Sequence, residues 1–233
     1  MIAGYAVEEC GARAAARGGA TVVIVDVFRA STTIAVLVSK GARVIPVASI
    51  EEAAAYEGVD YRVGERGSAK VRGFDFGNSP SEIEAAELAP SATVVLSTTN
   101  GTRTIEAARG ASEILVGAFV NAQLVADRLA SGAYGEERVA VIGCGWEGRR
   151  ASEDESAAGA ILCRLQQRGV GLDERARRVV GLYRARPEKS LRQNSAARRL
   201  ARLGYERDLD FCFAGNTVPV VPRLEGGAFV GRR

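Results

Sequence analysis

The chain has 233 residues, 47% of them hydrophobic, so it can bury a core large enough for one large domain or two small ones. Its 31 Lys and Arg and 28 Asp and Glu give a net charge of +3, without the one-sided basic surface typical of nucleic-acid binding. The sequence contains no His, which excludes imidazole acid–base catalysis, Ser-His-Asp hydrolases, Cys-His proteases and His-ligated zinc.

Without His, few kinds of side chain are left for catalysis. Catalysis must use carboxylates, hydroxyls, thiols, Arg, Lys or a metal bound through oxygen. The four Cys are scattered without a CxxC pair, which favours neither a zinc site nor a disulfide framework. No apolar run approaches the ~20 residues that cross a bilayer. Glu8 and Glu9 lie where a signal peptide would be apolar, so we expect a cytoplasmic protein without a membrane partner.

Apolar, β-branched runs alternate with helical patterns over most of the chain. Strands are predicted at 21–28, 43–48, 93–98, 113–119 and 138–144. Helices are predicted at 31–39, 50–57, 80–88, 101–109, 121–131 and 153–168. This alternation predicts an α/β fold of three layers, α/β/α, in which helices cover both faces of a largely parallel or mixed sheet. We expect residues 1–233 to form a single unit.

The sequence also indicates where helices start and what the C-terminal part of the chain forms. Capping signals mark three helix starts: Ser49 with Glu52, Ser79 with Pro80 and Glu82, and Ser152 with Glu155. Residues 173–203 are rich in Arg and predict one or two surface helices. After Gly204, short apolar runs broken by Pro219 and Pro222 predict closing strands or a sheet edge.

Polar side chains follow the predicted strands at the points where those strands end. Four places supply candidates, in chain order: Asp26 and Arg29; Glu65 and Arg66; Asn100, Gly101 and Thr102; and Glu153 and Asp154. Because ligands gather at the carboxyl ends of parallel strands, we expect these groups to meet at one rim of the sheet. Helix N-termini there bind phosphate oxygens, and carboxylates are the hard oxygen ligands that Mg²⁺ takes.

The loop GFDFGNSP, residues 73–80, adds a fifth place. Aromatic residues flank Asp75 on both sides, a pattern that indicates a loop anchored by its rings while it presents the acid. Asn78 and Ser79 follow and start a predicted helix. We interpret Asp75 as facing a metal or water, and Asn78 and Ser79 as starting a helix toward the anion.

A thiol offers an alternative to the carboxylates. Cys144 and Arg150 have the spacing of a cysteine phosphatase loop, in which a thiolate attacks phosphorus and the Arg binds its oxygens. Against this, Glu147 would place a negative charge inside the phosphate cradle. Two alternatives to a metal-dependent enzyme therefore stay open: a cysteine-dependent phosphatase that uses Cys144 and Arg150, and a non-catalytic anion-binding α/β protein.

Six unusual strings occur in a characteristic order: DVFRASTTI (26–34), GERG (64–67), FDFGNSP (74–80), TTNGTR (98–103), VGAFVNA (116–122) and EDESAAGAI (153–161). With this series the chain resembles the 2-phosphosulfolactate phosphatase (ComB-like) family over about residues 20–165. The resemblance implies Mg²⁺-dependent hydrolysis of (2R)-2-phospho-3-sulfolactate to 3-sulfolactate and phosphate, a step associated with coenzyme M synthesis. It also implies a three-layer α/β fold peculiar to the family, with two similar halves as one option.

The resemblance further implies roles for the candidate residues. Metal ligands or water activators would be Asp26, Glu65, Asp75, Glu153 and Asp154. Phosphate contacts would come from Arg29, Asn78, Ser79, Asn100, Gly101 and Thr102. Arg66 and Arg150 would receive the sulfonate or the carboxylate. Direct attack by water and attack by Asp26 itself both stay open. The expected partner is a small anionic phosphorylated substrate, with no nucleic acid and with a homodimer as one option.

Overall fold

The computed structural model of the chain describes residues 1–131, 138–146 and 148–231. Within these ranges the chain forms eleven strands and eleven α-helices. The strands are β1 (Ile2–Val7), β2 (Thr21–Val25), β3 (Arg43–Pro46), β4 (Tyr61–Arg66), β5 (Ala69–Lys70), β6 (Thr93–Ser97), β7 (Glu113–Val116), β8 (Arg138–Gly143), β9 (Gly171–Leu172), β10 (Pro222–Glu225) and β11 (Ala228–Gly231). The helices are α1 (Glu8–Arg17), α2 (Ala30–Ser39), α3 (Ile50–Ala55), α4 (Pro80–Ala85), α5 (Gly101–Ala107), α6 (Ala122–Ala130), α7 (Ser152–Gln167), α8 (Glu174–Ala185), α9 (Glu188–Leu191), α10 (Ser195–Arg202) and α11 (Glu206–Phe213).

The strands form one mixed sheet in the order β5-β4-β6-β3-β11-β10-β7-β2-β8-β1-β9. Strands β7, β2, β8, β1 and β9 are parallel and form one block, and β3, β6 and β4 form a second parallel block. The hairpin β10–β11 joins the blocks by pairing antiparallel with β7 and with β3. Between the two blocks, the pairings β7–β10, β10–β11 and β11–β3 are all antiparallel. The strands of one block therefore run in the direction opposite to those of the other block. Similarity between two halves stays a prediction.

Helices cover both faces of this sheet, as predicted for a three-layer α/β/α fold. Along β2, Val22 and Ile24 pack in the core beneath α1, α2 and α5, whereas Val23 and Val25 pack beneath α6, α7 and α8. This alternation follows from the two-residue period of a strand. Helix α2 is buried at every position from Ala30 to Val38. Its N-terminus, which follows β2 directly, therefore lies inside the molecule.

The predicted strands and helices are confirmed, and the differences lie at their ends. Each predicted strand begins at the predicted residue and stops one to three residues early, because the chain turns there to present polar side chains. Strand β1 and helix α1 were not predicted from the sequence. The Arg-rich segment contains three helices, α8, α9 and α10, rather than one or two. No helix of the described residues is long and apolar enough to cross a membrane.

Of the two alternatives predicted for the C-terminal segment, the closing strands are confirmed and the sheet edge is not. Gly226 and Gly227, with φ of 55° and 82°, make the tight turn of the β10–β11 hairpin, which is inserted in the middle of the sheet. Phe229 is fully buried and pairs with Val44 of β3. Pro222 misleads because it is the first residue of β10, where a strand tolerates a missing N–H.

Two of the three predicted helix caps are confirmed. The side chains of Ser49 and Ser79 accept hydrogen bonds from the third residue of their helices. The prediction for Ser152 is wrong, because α7 begins one residue earlier, with Ala151 at its N-cap and Ser152 inside the first turn. Glu155 is accordingly free of a capping role and forms ion pairs with two arginines.

Candidate active site

Four of the predicted carboxylates come together, and we name them the carboxylate cluster: Asp26, Glu65, Glu153 and Asp154. Asp26 follows β2, Glu65 lies near the end of β4, and the other two occupy the first turn of α7. The two blocks of the sheet thus contribute to one site although their strands run in opposite directions. From the sequence we expected these carboxylates to meet at one rim formed by the carboxyl ends of parallel strands. The structure instead brings them together from two blocks whose strands run in opposite directions.

The N-terminus of α5 links the two blocks at this site. A Cβ on Gly101, the first residue of α5, would lie 2.9 Å from Asp26 Oδ2 and 2.7 Å from Ala30 Cβ, so only glycine fits here. Two residues before Gly101, the backbone N–H and the hydroxyl of Thr99 donate to Glu65 Oε1 at 2.7 and 2.8 Å. Asp26 and Glu65 therefore contact the same short segment from opposite sides.

Asp26 titrates near neutral pH in this setting. Burial, followed by the negative charge of Glu65, raises its pKa from 3.8 to about 7, and Glu153 contributes in the same direction. A hydrogen bond from the Ala30 N–H to Oδ1, at 3.3 Å, and the positive charge of Arg29 partly offset this rise in pKa. A carboxyl group with such a pKa is able to take up or release a proton at physiological pH.

The side chains of Glu65 and Asp154 are fixed by backbone donors. Glu65 Oε2 accepts from the Ser68 N–H at 2.7 Å. Asp154 Oδ1 accepts from the Val27 N–H at 2.8 Å, and its Oδ2 accepts from the Gly145 N–H at 3.0 Å. Burial, with Asp26 and Glu153 nearby, raises the pKa of Asp154. Asp154 thus holds the residue after Asp26 in place and adds negative charge beside it.

Glu153 lies at the outer side of the carboxylate cluster. Its Oε2 accepts from Asn194 Nδ2 at 2.7 Å. Burial raises the pKa of Glu153, while hydrogen bonds from Asn194 and Ser152 and the positive charge of Arg199 lower it. Asn194 and Arg199 lie in the Arg-rich segment, and the sequence analysis gave neither residue a role.

Arg29 is buried, and its guanidinium contacts other residues of the protein. Only 2% of the residue is exposed. Nη1 forms an ion pair with Asp208 at 2.6 Å, Nη2 donates to the Ser68 carbonyl at 2.6 Å, and the guanidinium lies 4.2 Å from the centroid of the Tyr205 ring. Direct contact of Arg29 with phosphate stays a prediction, whereas its effect on Asp26 is electrostatic.

Asp208 is a functional candidate that the sequence analysis missed. It is completely buried, and besides Arg29 it accepts hydrogen bonds from the hydroxyl of Ser79 at 2.8 Å and from Ser81. A signal was present: Asp208 and Cys212 are one helical turn apart, so an acid lies on the buried face of α11. A carboxylate in that position requires a buried partner.

Asn78 and the residues at the start of α5 were predicted to contact the phosphate. Asn78 is buried, and its Oδ1 has no hydrogen-bond partner among the described residues. Thr102 is buried and exchanges hydrogen bonds with Thr98 of the preceding loop. Asn100 is the N-cap of α5 and gives it no side-chain hydrogen bond. Their predicted contacts with phosphate stay predictions.

Asp75 does not join the cluster. It is exposed, and its Oδ2 accepts from the Arg62 N–H at 2.7 Å near the beginning of β4. Glu65 lies three residues further along the same strand, roughly 10 Å away at 3.3 Å per residue. The flanking rings misled the sequence analysis, because Asp75 is held along the strand rather than at its end. We leave Asp75 out of the proposed site.

The two arginines predicted to receive the sulfonate or carboxylate of the substrate are exposed, and each already forms hydrogen bonds or an ion pair within the protein. Arg66 donates to its neighbour's carbonyl, that of Glu65, at 2.7 Å and to Ser97 Oγ at 3.1 Å. Arg150 forms an ion pair with Glu155, which also pairs with Arg186. Neither guanidinium belongs to the cluster itself.

Cys144 has the wrong electrostatic surroundings for a nucleophile. Its side chain is buried, and burial together with the charges of Asp26 and Asp154 raises the pKa of the thiol. A thiolate phosphatase requires the opposite shift. Arg150 is engaged by Glu155, and Glu147 lies outside the described residues. These observations argue against the cysteine-dependent alternative.

Comparison with known proteins assigns the family. The sequence profile described as 2-phosphosulpholactate phosphatase matches residues 7–227. A protein named probable 2-phosphosulfolactate phosphatase from Thermotoga petrophila is 39% identical over 214 residues, which cover 90% of this chain and 91% of that protein. A protein of the same name from Carboxydothermus hydrogenoformans is 37% identical over 217 residues, covering 91% and 88%. The chain belongs to the 2-phosphosulfolactate phosphatase family.

Proposed function

We propose that this chain is a Mg²⁺-dependent phosphatase that hydrolyses (2R)-2-phospho-3-sulfolactate to 3-sulfolactate and phosphate, the step associated with coenzyme M synthesis. Family membership supports the substrate, since the relatives that are 37–39% identical carry that activity in their names. The observation that carries the chemistry is Asp26, a carboxyl group with a pKa of about 7 placed between the N-termini of α2 and α5 in a chain without His.

The charges of substrate and site call for a cation. The substrate carries a phosphate, a carboxylate and a sulfonate, and the carboxylate cluster alone would repel it. Burial raises the pKa of three cluster members, and repulsion from neighbouring carboxylates adds to the rise for Asp26 and Asp154. A cation at the cluster would relieve this repulsion. Hard oxygen donors of this kind fit Mg²⁺.

Few protein ligands would hold that ion. No group of three or more Cys, Asp or Glu in the described ranges is arranged to hold a metal. Mg²⁺ usually keeps several waters and takes one or two carboxylates plus substrate oxygens, so two ligands suffice. Asp26 and Glu153 are our candidates, because Asp26 Oδ2 accepts no hydrogen bond from the described residues and Glu153 faces outward. When bound, Mg²⁺ would neutralise charge on the transferring phosphoryl group.

The chain's own residues supply positioning and proton transfer. Asp154 fixes Val27, and Glu65 fixes Thr99 and Ser68, so both carboxylates hold the loops around Asp26. Asp26 then has two options. It takes a proton from the attacking water as the new P–O bond forms and the bond from phosphorus to the C2 oxygen breaks, or it attacks phosphorus itself and water hydrolyses the acyl phosphate. In the first route the proton passes from Asp26 to the departing alkoxide, and in the second the alkoxide takes its proton from water, so that one water is consumed for each 3-sulfolactate and phosphate formed.

Phosphate release tests this proposal. Racemic 2-phosphosulfolactate, 2-phospholactate and an aryl phosphate are compared with Mg²⁺ and with EDTA. We expect 2-phosphosulfolactate to be the best substrate and EDTA to abolish turnover, with recovery on adding Mg²⁺. Equal turnover of the aryl phosphate would contradict the proposed substrate, and turnover unaffected by EDTA would contradict the metal. A burst of 3-sulfolactate ahead of phosphate would favour attack by Asp26 over attack by water.

A further inference from the structure

A cleft of about 480 Å³ opens beside the carboxylate cluster. We name it the arginine cleft, and its polar lining includes Trp146, Arg149, Arg150, Glu153, Asn194 and Arg199. Glu153 is the cluster member that lines it. The cleft thus leads from the reactive carboxylates to a surface rich in guanidinium groups, which suits an anion attached to the reacting phosphate.

Helix α10 is connected to the carboxylate cluster through its N-cap residue. Asn194, the N-cap of α10, accepts from the Ala197 N–H at 2.8 Å and donates to Glu153 Oε2 at 2.7 Å. Asn194 also donates to Ser152 Oγ at 3.1 Å. These contacts fix the start of α10 against the start of α7, so a side chain one turn further along α10 has a defined position over the cleft.

Arg199 is that side chain, and its guanidinium, which acts on Glu153 through its charge, is held by contacts other than an ion pair. Its Cζ lies over the Trp146 ring, 3.8 Å from the centroid, and its Nε donates to Ser68 Oγ at 3.0 Å. Across the described parts of the chain, Arg199 forms no ion pair, and its two terminal nitrogens make no hydrogen bond. Arg150 in the same cleft differs, because Glu155 occupies it.

Ser68 connects Arg199 to the reactive carboxylates. Its N–H donates to Glu65 Oε2, its carbonyl accepts from Arg29 Nη2, and its hydroxyl accepts from Arg199 Nε. Ser68 is buried, and its N–H, carbonyl and hydroxyl are all used in these hydrogen bonds. The contacts of Ser68 therefore position the two terminal nitrogens of Arg199 relative to the carboxylate cluster. Two positioned N–H donors are what bidentate recognition of an oxyanion requires.

We propose that Arg199 binds the sulfonate of the substrate and makes the enzyme selective for sulfonated 2-phospho acids, an inference that rests on the proposed function. The carboxylate of the substrate is attached to C2, the carbon that bears the phosphate, so it stays beside the cluster. The sulfonate is one carbon further away, on C3, and extends outward into the cleft. The planar fork of Arg199 donates two N–H groups to two sulfonate oxygens.

The test compares two substrates and three variants. The substrates are 2-phosphosulfolactate and 2-phospholactate, which lacks the sulfonate, and the variants are Arg199→Gln, Arg199→Lys and Arg198→Gln. Arg198 lies on the same helix and is exposed, so its substitution removes one charge without touching the cleft. Thermal unfolding checks that each variant is folded.

We expect Arg199→Gln to lower kcat/KM for 2-phosphosulfolactate about 100-fold, because a charged partner of the substrate is lost. The value for 2-phospholactate should fall much less, since that substrate does not reach the guanidinium and Arg199 acts on it only through its charge beside Glu153. Arg199→Lys, which keeps the charge but loses the fork, should lie in between. Arg198→Gln should match wild type on both substrates. Inhibition by 3-sulfolactate should weaken in parallel in Arg199→Gln, which is a readout independent of turnover.

The outcomes separate this inference from the proposed function. If wild type hydrolyses 2-phosphosulfolactate but Arg199→Gln affects both substrates equally or neither, the sulfonate role is overturned and the phosphatase stands. Equal turnover of both substrates by wild type has the same meaning. If wild type hydrolyses neither substrate, the proposed function itself fails.

Discussion

Asp26→Asn tests the electrostatic reasoning on which the candidate site depends. A pKa of about 7 instead of 3.8 means that ionising Asp26 in the folded protein costs about 4 kcal/mol more than in the unfolded chain, at 1.36 kcal/mol per pKa unit. Part of the Asp26 surface is exposed, and water there lowers this figure. We therefore expect a net cost of about 2 kcal/mol.

The sign of the pH dependence follows from the direction of this pKa shift. Between about pH 4 and pH 7 the folded state holds a proton on Asp26 that the unfolded state has released, so the stability of wild type falls as pH rises. Above pH 7 both states are ionised and the loss is constant. The amide of Asn carries no charge, so the variant should be more stable than wild type at pH 8 by about 2 kcal/mol, and nearly equal at pH 4.

Urea and thermal unfolding in EDTA measure this difference between pH 4 and 8. For a chain of this length 2 kcal/mol corresponds to a rise in Tm of about 4–8 °C at pH 8. Asp75→Asn is the matched control, because Asp75 is an exposed carboxylate outside the cluster. It should change neither stability nor phosphate release, whereas Asp26→Asn should abolish phosphate release. If Asp26→Asn is destabilised at pH 8, or if its effect is the same at both pH values, burial and repulsion do not set the properties of this group.

Two further substitutions test neighbouring groups. Cys144→Ser should keep kcat/KM within about threefold, since the raised pKa keeps the thiol neutral, and loss of turnover in steady-state assays would revive the cysteine mechanism. Asp208→Asn should cost about 3–5 kcal/mol in urea unfolding, because Arg29 loses its buried partner. It should also move the acidic limb of the kcat/KM pH profile to lower pH. Without Asp208, the positive charge of Arg29 is less neutralised and lowers the pKa of Asp26 further. An unchanged limb would mean that Asp208 is only structural.

The sequence revealed the layers of this fold and one side of its site. Strand and helix periods are local, so the buried strands and the polar residues that follow them could be predicted from their own neighbours. The direction of the second sheet block could not, because it depends on where a short hairpin is inserted. The two blocks nevertheless meet at Asp26 and Gly101, since α5 packs against the strand from the other block.

The C-terminal helices escaped prediction for a related reason. Asp208 and Arg199 act through contacts with residues more than 100 positions earlier, Ser79 and Ser68 among them. Nothing in the Arg-rich composition distinguishes an arginine stacked on Trp146 from the exposed arginines beside it. Long-range placement, rather than residue type, decides which of these charges has a role.

The inserted hairpin has a consequence for how the molecule is made. Strands β10 and β11 leave the ribosome after every other described strand, yet they occupy the middle of the sheet. Until then the two blocks have no strand between them, and the edges of β3 and β7 are open to unwanted pairing. Sheet assembly must therefore wait for nearly the whole chain, which is typical of slow folding dominated by distant contacts. A chain cut before residue 222 would retain every member of the carboxylate cluster and lose the strands that bring its two halves together.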